Sequence, residues 1–155
     1  MSRPQWDTSP GLSSRPEPPA GYAAATRKPA VMIVARQAAN ERYKGHDQLI
    51  EGWPRVLERV PTAELWIVGT GDDQARLQAL AQSVGVSAKV QFFGKVSHEK
   101  LLELYGSARV FAMPSSGEGF GLVFVEAMRY GMPCICSRDS AAEIVVDQET
   151  GLAVD

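Results

Sequence analysis

The chain has 155 residues, 45% of them hydrophobic, which is enough for about one domain with a core of its own. Its 16 Lys and Arg against 18 Asp and Glu leave a formal charge of -2, with no basic surplus to hold nucleic acid or an anionic membrane surface. No run of about 18 apolar residues occurs and no secretory-signal pattern opens the chain, so a soluble, cytoplasmic protein with no indicated membrane contact is expected.

Residues 1–29 carry six of the ten prolines (Pro4, Pro10, Pro16, Pro18, Pro19, Pro29), and Leu12 is their only Leu, Ile or Val. Such a stretch buries too little apolar area to offset its ordering entropy, and reads as a flexible tail or linker with Trp6 and Tyr22 solvated. The domain begins at residue 30 and runs to 155. Ala30 to Ala35 is a compact apolar run, the first strand, followed by the polar loop Arg36 to Gly45. Leu49, Ile50, Trp53, Val56 and Leu57 then recur at helical spacing between Asp47 and about Arg59, where Pro54 should kink or restart the helix. Glu64 to Val68 is the second strand, Gly69 and Gly71 form a turn, and Asp72 is a candidate N-cap for a helix to about Val84. Val90 to Phe93 is the third strand, and Ser97 can cap a helix to Ser107. Val110 to Met113, a Pro-Ser-Ser-Gly break, and a helix to about Tyr130 make the fourth unit. Cys134 to Cys136 is the fifth strand, and Ser140 to Glu143 reads as a capping box for one more short helix, which gives Glu143 a structural role.

Strand, loop and helix repeated five times imply right-handed crossovers and an α/β fold, a doubly wound parallel sheet covered on both faces. Ligands bind such sheets outside the carboxyl ends of the strands. Arg36, Gly69 and Gly71, Gly94 and Lys95, and the loop of Glu118 all fall at that edge.

The fourth loop carries the most chemistry. Gly117, Gly119 and Gly121 leave it little side-chain bulk, so backbone N–H groups at the helix start can approach an anion that the helix dipole also favours. Glu118 and Glu126 bracket the turn with seven residues between them, on the order of 12 Å apart if most of that interval is helical. Glycosidase carboxylates lie roughly 5 to 9.5 Å apart, so the spacing argues against two groups flanking one scissile bond. It suits an extended ligand with hydroxyls at both ends and phosphate between, as in a nucleotide sugar. Arg36 and Lys44 on one loop would neutralise a pyrophosphate, Arg as a planar fork and Lys as a point charge, although they also read as solvated charges beside Glu41 and Arg42. Arg42 is placed on the surface.

Other chemistries find little support. The glycines are spaced neither as a dinucleotide fingerprint nor as a P-loop, and Ser115 and Ser116 lack a nucleophile elbow. His46 and His98 open predicted helices and read as surface residues, and no cluster has metal-ligand spacing, so no metal and no cofactor are expected. Cys134 and Cys136 read as reduced core thiols on a buried strand, set on opposite faces, a poor disulfide and a poor metal clip.

The run Glu118-Gly-Phe-Gly-Leu to Glu126-Ala-Met resembles the E-x7-E signature of retaining glycosyltransferases with the GT-B fold, in particular family 4. Neighbouring segments follow the same order: VARQAANERYKGHDQLI from Val34, ELWIVGTGDD from Glu64, VQFFGKVSHEKLLELYGSARVFAMPSS from Val90, then GMPCI, AAEIV and ETGL. The resemblance covers Ala30 to Asp155 and implies the Rossmann-like, donor-binding half of such an enzyme. It implies that Arg36 and Lys44 bind the diphosphate and that Glu118 contacts the donor sugar. Gly119, Phe120, Gly121, Leu122 and Val123 would offer backbone groups to sugar and phosphate, Glu126 would bind the ribose hydroxyls, and Lys95 and Val96 would meet the nucleobase. The implied reaction is retaining transfer from a nucleotide-activated sugar to an acceptor hydroxyl, commonly without a bound metal.

The sequence departs from the family in three ways. A second domain that binds the acceptor has no counterpart here, the chain ends just inside what should be the last strand, and Ser137-Arg-Asp-Ser stands where the family usually carries glycine. Little or no transfer by the chain alone is therefore expected. A non-catalytic nucleotide-sugar-binding module, or a subunit of a split enzyme, is the alternative reading. A dinucleotide-binding domain would need an acid about 20 positions past the glycine turn; Asp139 is near that place, but the glycine spacing is wrong.

Overall fold

The structure, a computed structural model, describes residues 27–117, 121–138, 145, 149 and 151–154. The expectations for residues 1–26, for Glu118, Gly119, Phe120 and Asp139, and for the capping box at 140–143 lie outside the described residues.

Six parallel strands form one sheet: β1 (Ala30–Val34), β2 (Glu64–Val68), β3 (Val90–Gly94), β4 (Val110–Met113), β5 (Cys134–Ser137) and β6 (Gly151–Val154), in the order β3-β2-β1-β4-β5-β6. Helices α1 (His46–Arg59), α2 (Gln74–Ser83), α3 (His98–Ser107) and α4 (Leu122–Arg129) make four of the crossovers. Parallel neighbours cannot be joined by a tight turn, so each connection must climb back over a face. The first strand consequently lies inside the sheet and reads as a continuous apolar run: Ala30, Met32 and Ile33 are buried, paired to Glu64 through Val68 on one side and to Val110 and Phe111 on the other. The order reverses between β1 and β4. There the chain leaves one strand toward β2 and the other toward β5, which opens a crevice between their carboxyl ends.

Local chemistry explains most element boundaries. Ser97 caps α3, its Oγ accepting the Lys100 N–H at 3.1 Å, as expected. Asp72 does not cap the helix after β2 but accepts the Ala39 N–H at 2.8 Å; Asp73 is the residue before α2, and its side chain makes no cap hydrogen bond. Helix α1 runs over 14 residues as one element through Pro54, so the helix does not restart there. Burial of Ile50 and Trp53, worth roughly 1.5 to 3 kcal/mol for each large apolar side chain, offsets the roughly 3 kcal/mol that an interior proline costs.

Two sequence readings change. Cys134 and Cys136 are both buried thiols outside any disulfide, but residues two apart on a strand share a face, so they do not point to opposite sides. Side by side along one strand, about 6.6 Å apart at the strand rise, they point in parallel and are poorly placed to bridge. Burial, with Cys136 alongside, pushes the Cys134 thiol up to about 12. Arg27 to Pro29 pack on the domain: buried Arg27 donates to the carbonyls of Tyr105, Ala108 and Tyr130, at the ends of α3 and α4, and Lys28 N–H donates to Ser107 O at 2.9 Å. Among the described residues, no helix is long and apolar enough to cross a membrane.

Candidate functional site

The loop after β1 is built on the loop after β2. Ala35 N–H donates to Val68 O, Gln37 N–H to Thr70 O and Asp73 N–H to Gln37 O, all within 3.1 Å, while Gln37 Nε2 donates to Gly69 O at 2.6 Å. This backbone contact is what Gly69 and Gly71 allow, for a Cβ on Gly69 would overlap the Ala35 carbonyl and one on Gly71 the Gln37 carbonyl. The glycine turn is thus a seat for the neighbouring loop.

Charge locks the seat. Buried Asp73 accepts from Arg42 at 2.9 and 3.1 Å and from Arg76 at 2.6 to 3.0 Å, and Arg76 also forks onto Asp47 at 2.7 and 2.9 Å. Arg76 first, and Arg42 second, hold the Asp73 carboxyl well below the usual carboxylate range. Arg42, although half-exposed as a surface residue would be, therefore anchors the loop from β1 to the start of α2.

The same loop closes on the fourth unit. Residues Ala39–Lys44 form a short 3-10 helix that ends at Gly45 with φ 99°, where a Cβ would come within 2.7 Å of the Pro114 ring. Ser116 N–H donates to Tyr43 O at 2.9 Å. These contacts bring Lys44 beside the end of β4. A cleft of about 320 Å³ results, walled by Val34 and Ala35 at the end of β1, Met113 at the end of β4, Lys44, and Gly121, Leu122 and Val123 at the start of α4. It occupies the crevice where the strand order reverses. Gly121 takes the left-handed conformation (φ 60°, ψ 41°) as the residue before α4, and the first-turn N–H groups of a helix have no intrahelical acceptor. A cleft lined by both a lysine and a helix N-terminus suits an anion.

The other expected site residues are distributed around it. Arg36 stands at the same edge, but its side chain is 78% exposed and donates to Glu41 Oε1 at 2.8 Å, and it is not part of the cleft wall. The pair is open to solvent on the arginine side only, for Glu41 is 14% exposed, so the guanidinium lies within reach of an anion while its carboxylate partner is held against the domain. Glu126 lies one turn after Leu122 and accepts a hydrogen bond from Tyr105 Oη at 3.0 Å. Lys95, exposed, and Val96, packed on the core, follow β3, two strands and roughly 10 Å across the sheet from β1. The structure thus joins Lys44, Gly121, Leu122 and Val123, and leaves Arg36, Glu126, Lys95 and Val96 on the surrounding rim. Sequence reasoning missed Gln37, Asp73, Arg76 and Tyr105, whose only local signal was a polar group next to an apolar run or a glycine, and the packing role of Pro114.

His46 departs from its expected surface position. It is 3% exposed at the first position of α1, its Nε2 has no hydrogen-bond partner among the described residues, and burial lowers its pKa from 6.5 to about 4. His98 is exposed. Between those two values the unfolded chain takes up a proton that the folded chain refuses. Stability is therefore full above about pH 6.5 and falls as the pH drops toward 4. Denaturant titrations at pH 7 and pH 5 should differ by about 2 kcal/mol, and His46→Leu should remove most of that difference. The contribution of Asp73, whose pKa is depressed, is present above the ordinary carboxylate value and is lost only below about pH 4, outside this window.

Comparison with known proteins shows what shares this arrangement. The family model described as Glycosyl transferases group 1 matches residues 17–155. The GDP-mannose-dependent alpha-(1-6)-phosphatidylinositol monomannoside mannosyltransferase of Mycolicibacterium smegmatis is 37% identical over 136 residues, 83% of this chain and 35% of that protein. The GDP-mannose-dependent monoacylated alpha-(1-6)-phosphatidylinositol monomannoside mannosyltransferase of Corynebacterium glutamicum is 35% identical over 119 residues, 72% of this chain and 31% of that protein. Among solved structures, the pneumococcal O-GlcNAc transferase GtfA in complex with UDP and GlcNAc has a TM-score of 0.75 at 23% identity, over 84% of this chain and 25% of that one. Sucrose-phosphate synthase from Thermosynechococcus elongatus has a TM-score of 0.69 at 34% identity, over 82% of this chain and 32% of that one. The C-terminal domain of a Francisella tularensis group 1 family protein has a TM-score of 0.71 at 22% identity, over 84% of this chain and 70% of that one. The chain spans about a third of the length of the curated relatives it matches.

Proposed function

The chain belongs to the group 1 glycosyl transferases, with the Rossmann-like half of a GT-B fold, and on that premise we propose that it holds the nucleotide-sugar donor for retaining transfer to an acceptor hydroxyl. The observation that carries this reading is the meeting of Lys44 with the N-terminus of α4 in one cleft at the switch point of the sheet. Fixed positive charge there stabilises a departing diphosphate without reorganisation at the moment of reaction. Arg36 adds a second cation once it leaves Glu41. Glu126 takes the ribose hydroxyls, and the base lies toward Lys95 and Val96. The role of Glu118 at the donor sugar rests on its resemblance to the family motif.

Acceptor recognition belongs to a partner domain, as in the two-domain enzymes of this family. Orienting donor against acceptor supplies much of the rate, so the chain alone should turn over little donor. Robust transfer by the purified chain would contradict this and favour a self-sufficient enzyme. The alternative, a module that binds nucleotide sugar without chemistry, predicts the same ligand and no transfer even when a complementary half is added.

Calorimetry against guanosine, uridine and adenosine diphosphates tests the reading. GDP is the first to try, because two of the relatives are named as GDP-mannose-dependent enzymes. Glu126→Ala should weaken binding by about 1 to 3 kcal/mol through lost ribose hydrogen bonds. Unchanged affinity with an intact fold would count against the assignment.

A further inference from the structure

Tyr105 lies in the last turn of α3 with no exposed surface, a phenol placed where a phenylalanine would pack as well. Its ring is stacked on Tyr130 at 5.8 Å and 14° and sits 6.3 Å from Phe111, which in turn meets Phe124 of α4 edge-on at 5.3 Å. The ring is therefore held between α3, β4 and α4. Among the described residues its hydroxyl donates to Oε2 of Glu126, at 3.0 Å.

We propose that Tyr105 is a positioning residue that holds the Glu126 carboxylate in the orientation that receives the donor's ribose hydroxyls, an inference that rests on the donor-binding reading above. A surface glutamate ordinarily samples several rotamers, and fixing it on binding costs conformational entropy. The Tyr105 bond supplies that fixation before the ligand arrives. An ionised carboxylate has about four acceptor sites, and Tyr105 fills one on Oε2. Oε1 and the second Oε2 lone pair remain for two vicinal hydroxyls. Burial first, and the neighbouring Glu126 carboxylate second, push the phenol well above its ordinary range, so the donor proton stays in place at any working pH. The phosphates sit elsewhere, at Lys44 and the start of α4, so a loss at Tyr105 should be confined to the ribose.

The test is Tyr105→Phe in the full chain, which keeps the ring stack and removes the hydroxyl. Calorimetry compares GDP (or whichever of the three diphosphates binds tightest), its 2′,3′-dideoxy counterpart and inorganic pyrophosphate, with a thermal melt for each variant. The wild type should prefer the ribonucleotide by about tenfold or more. In Tyr105→Phe that preference should fall about three- to tenfold, with pyrophosphate affinity unchanged. Tyr105→Met, which also lacks the hydroxyl, takes its place if the Phe variant melts below the assay temperature. A retained preference in these variants, alongside its loss in Glu126→Ala, would overturn the role of Tyr105 and leave the ribose reading standing. Equal weakening of all three ligands would mark a merely structural bond and overturn it as well. If Glu126→Ala keeps the wild-type preference, the ribose reading itself falls and takes Tyr105 with it.

Discussion

Lys44→Ala should weaken GDP and inorganic pyrophosphate binding by about 30- to 100-fold, with little change in melting temperature. A charge-assisted hydrogen bond to a phosphate is worth about 2 to 3 kcal/mol, and Lys44 is the cation in the cleft wall. Its ammonium lies 5.2 Å from the Tyr43 ring centroid, a contact that helps hold the long side chain at the rim. Two anchors place the backbone beneath it, the Gly45–Pro114 packing and the Ser116 to Tyr43 hydrogen bond. Arg36→Ala should cost less, because that guanidinium stands outside the cleft wall. Calorimetry on both variants ranks them. Wild-type affinity in Lys44→Ala, with the fold intact, would remove the physical basis for a phosphate site at this crevice.

The largest stability effect is expected at the glycine seat. Gly71→Ala places a methyl group on the Gln37 carbonyl oxygen, which already accepts the Asp73 N–H. Backbone is the obstacle, so no side-chain rotation relieves it; the two loops must separate, and the Arg42–Asp73–Arg76 network with them. Urea unfolding should show a loss of about 3 to 5 kcal/mol, in the range of large point-mutation effects. Gly52→Ala is the control. That glycine lies inside α1 with open space where a Cβ would go, so alanine there should stabilise by up to about 1 kcal/mol. Equal melting of Gly71→Ala and wild type would show that the loops are not held by this close approach. Because the seat also carries Lys44, any folded fraction of Gly71→Ala should bind GDP more weakly than wild type.

Sequence legibility followed the range of the interaction concerned. The strands from Ala30 to Cys136 and the helix starting after Ser97 were readable because apolar period and a cap three residues long are local facts. Asp72 and Asp73 could not be told apart by such rules, since the choice depends on which carboxylate meets Ala39 and which meets Arg42 and Arg76, partners up to 33 positions away. A restart at Pro54 does not occur for a related reason: propensity favours a break there, and burial of Ile50 and Trp53 keeps α1 one element.

By itself the sequence determined the class of fold, the sheet edge at which a ligand would lie, and the residue types available there, because alternating strand and helix periods permit few architectures. Tertiary structure alone decided that β4 lies beside β1, that Lys44 shares a cleft with the start of α4 while Arg36 leans on Glu41, that His46 is buried, and that Tyr105 donates to Glu126. Each of those depends on side chains distant along the chain, or on rotamers chosen by packing, and a periodic pattern reports which face a residue occupies but not what waits opposite it.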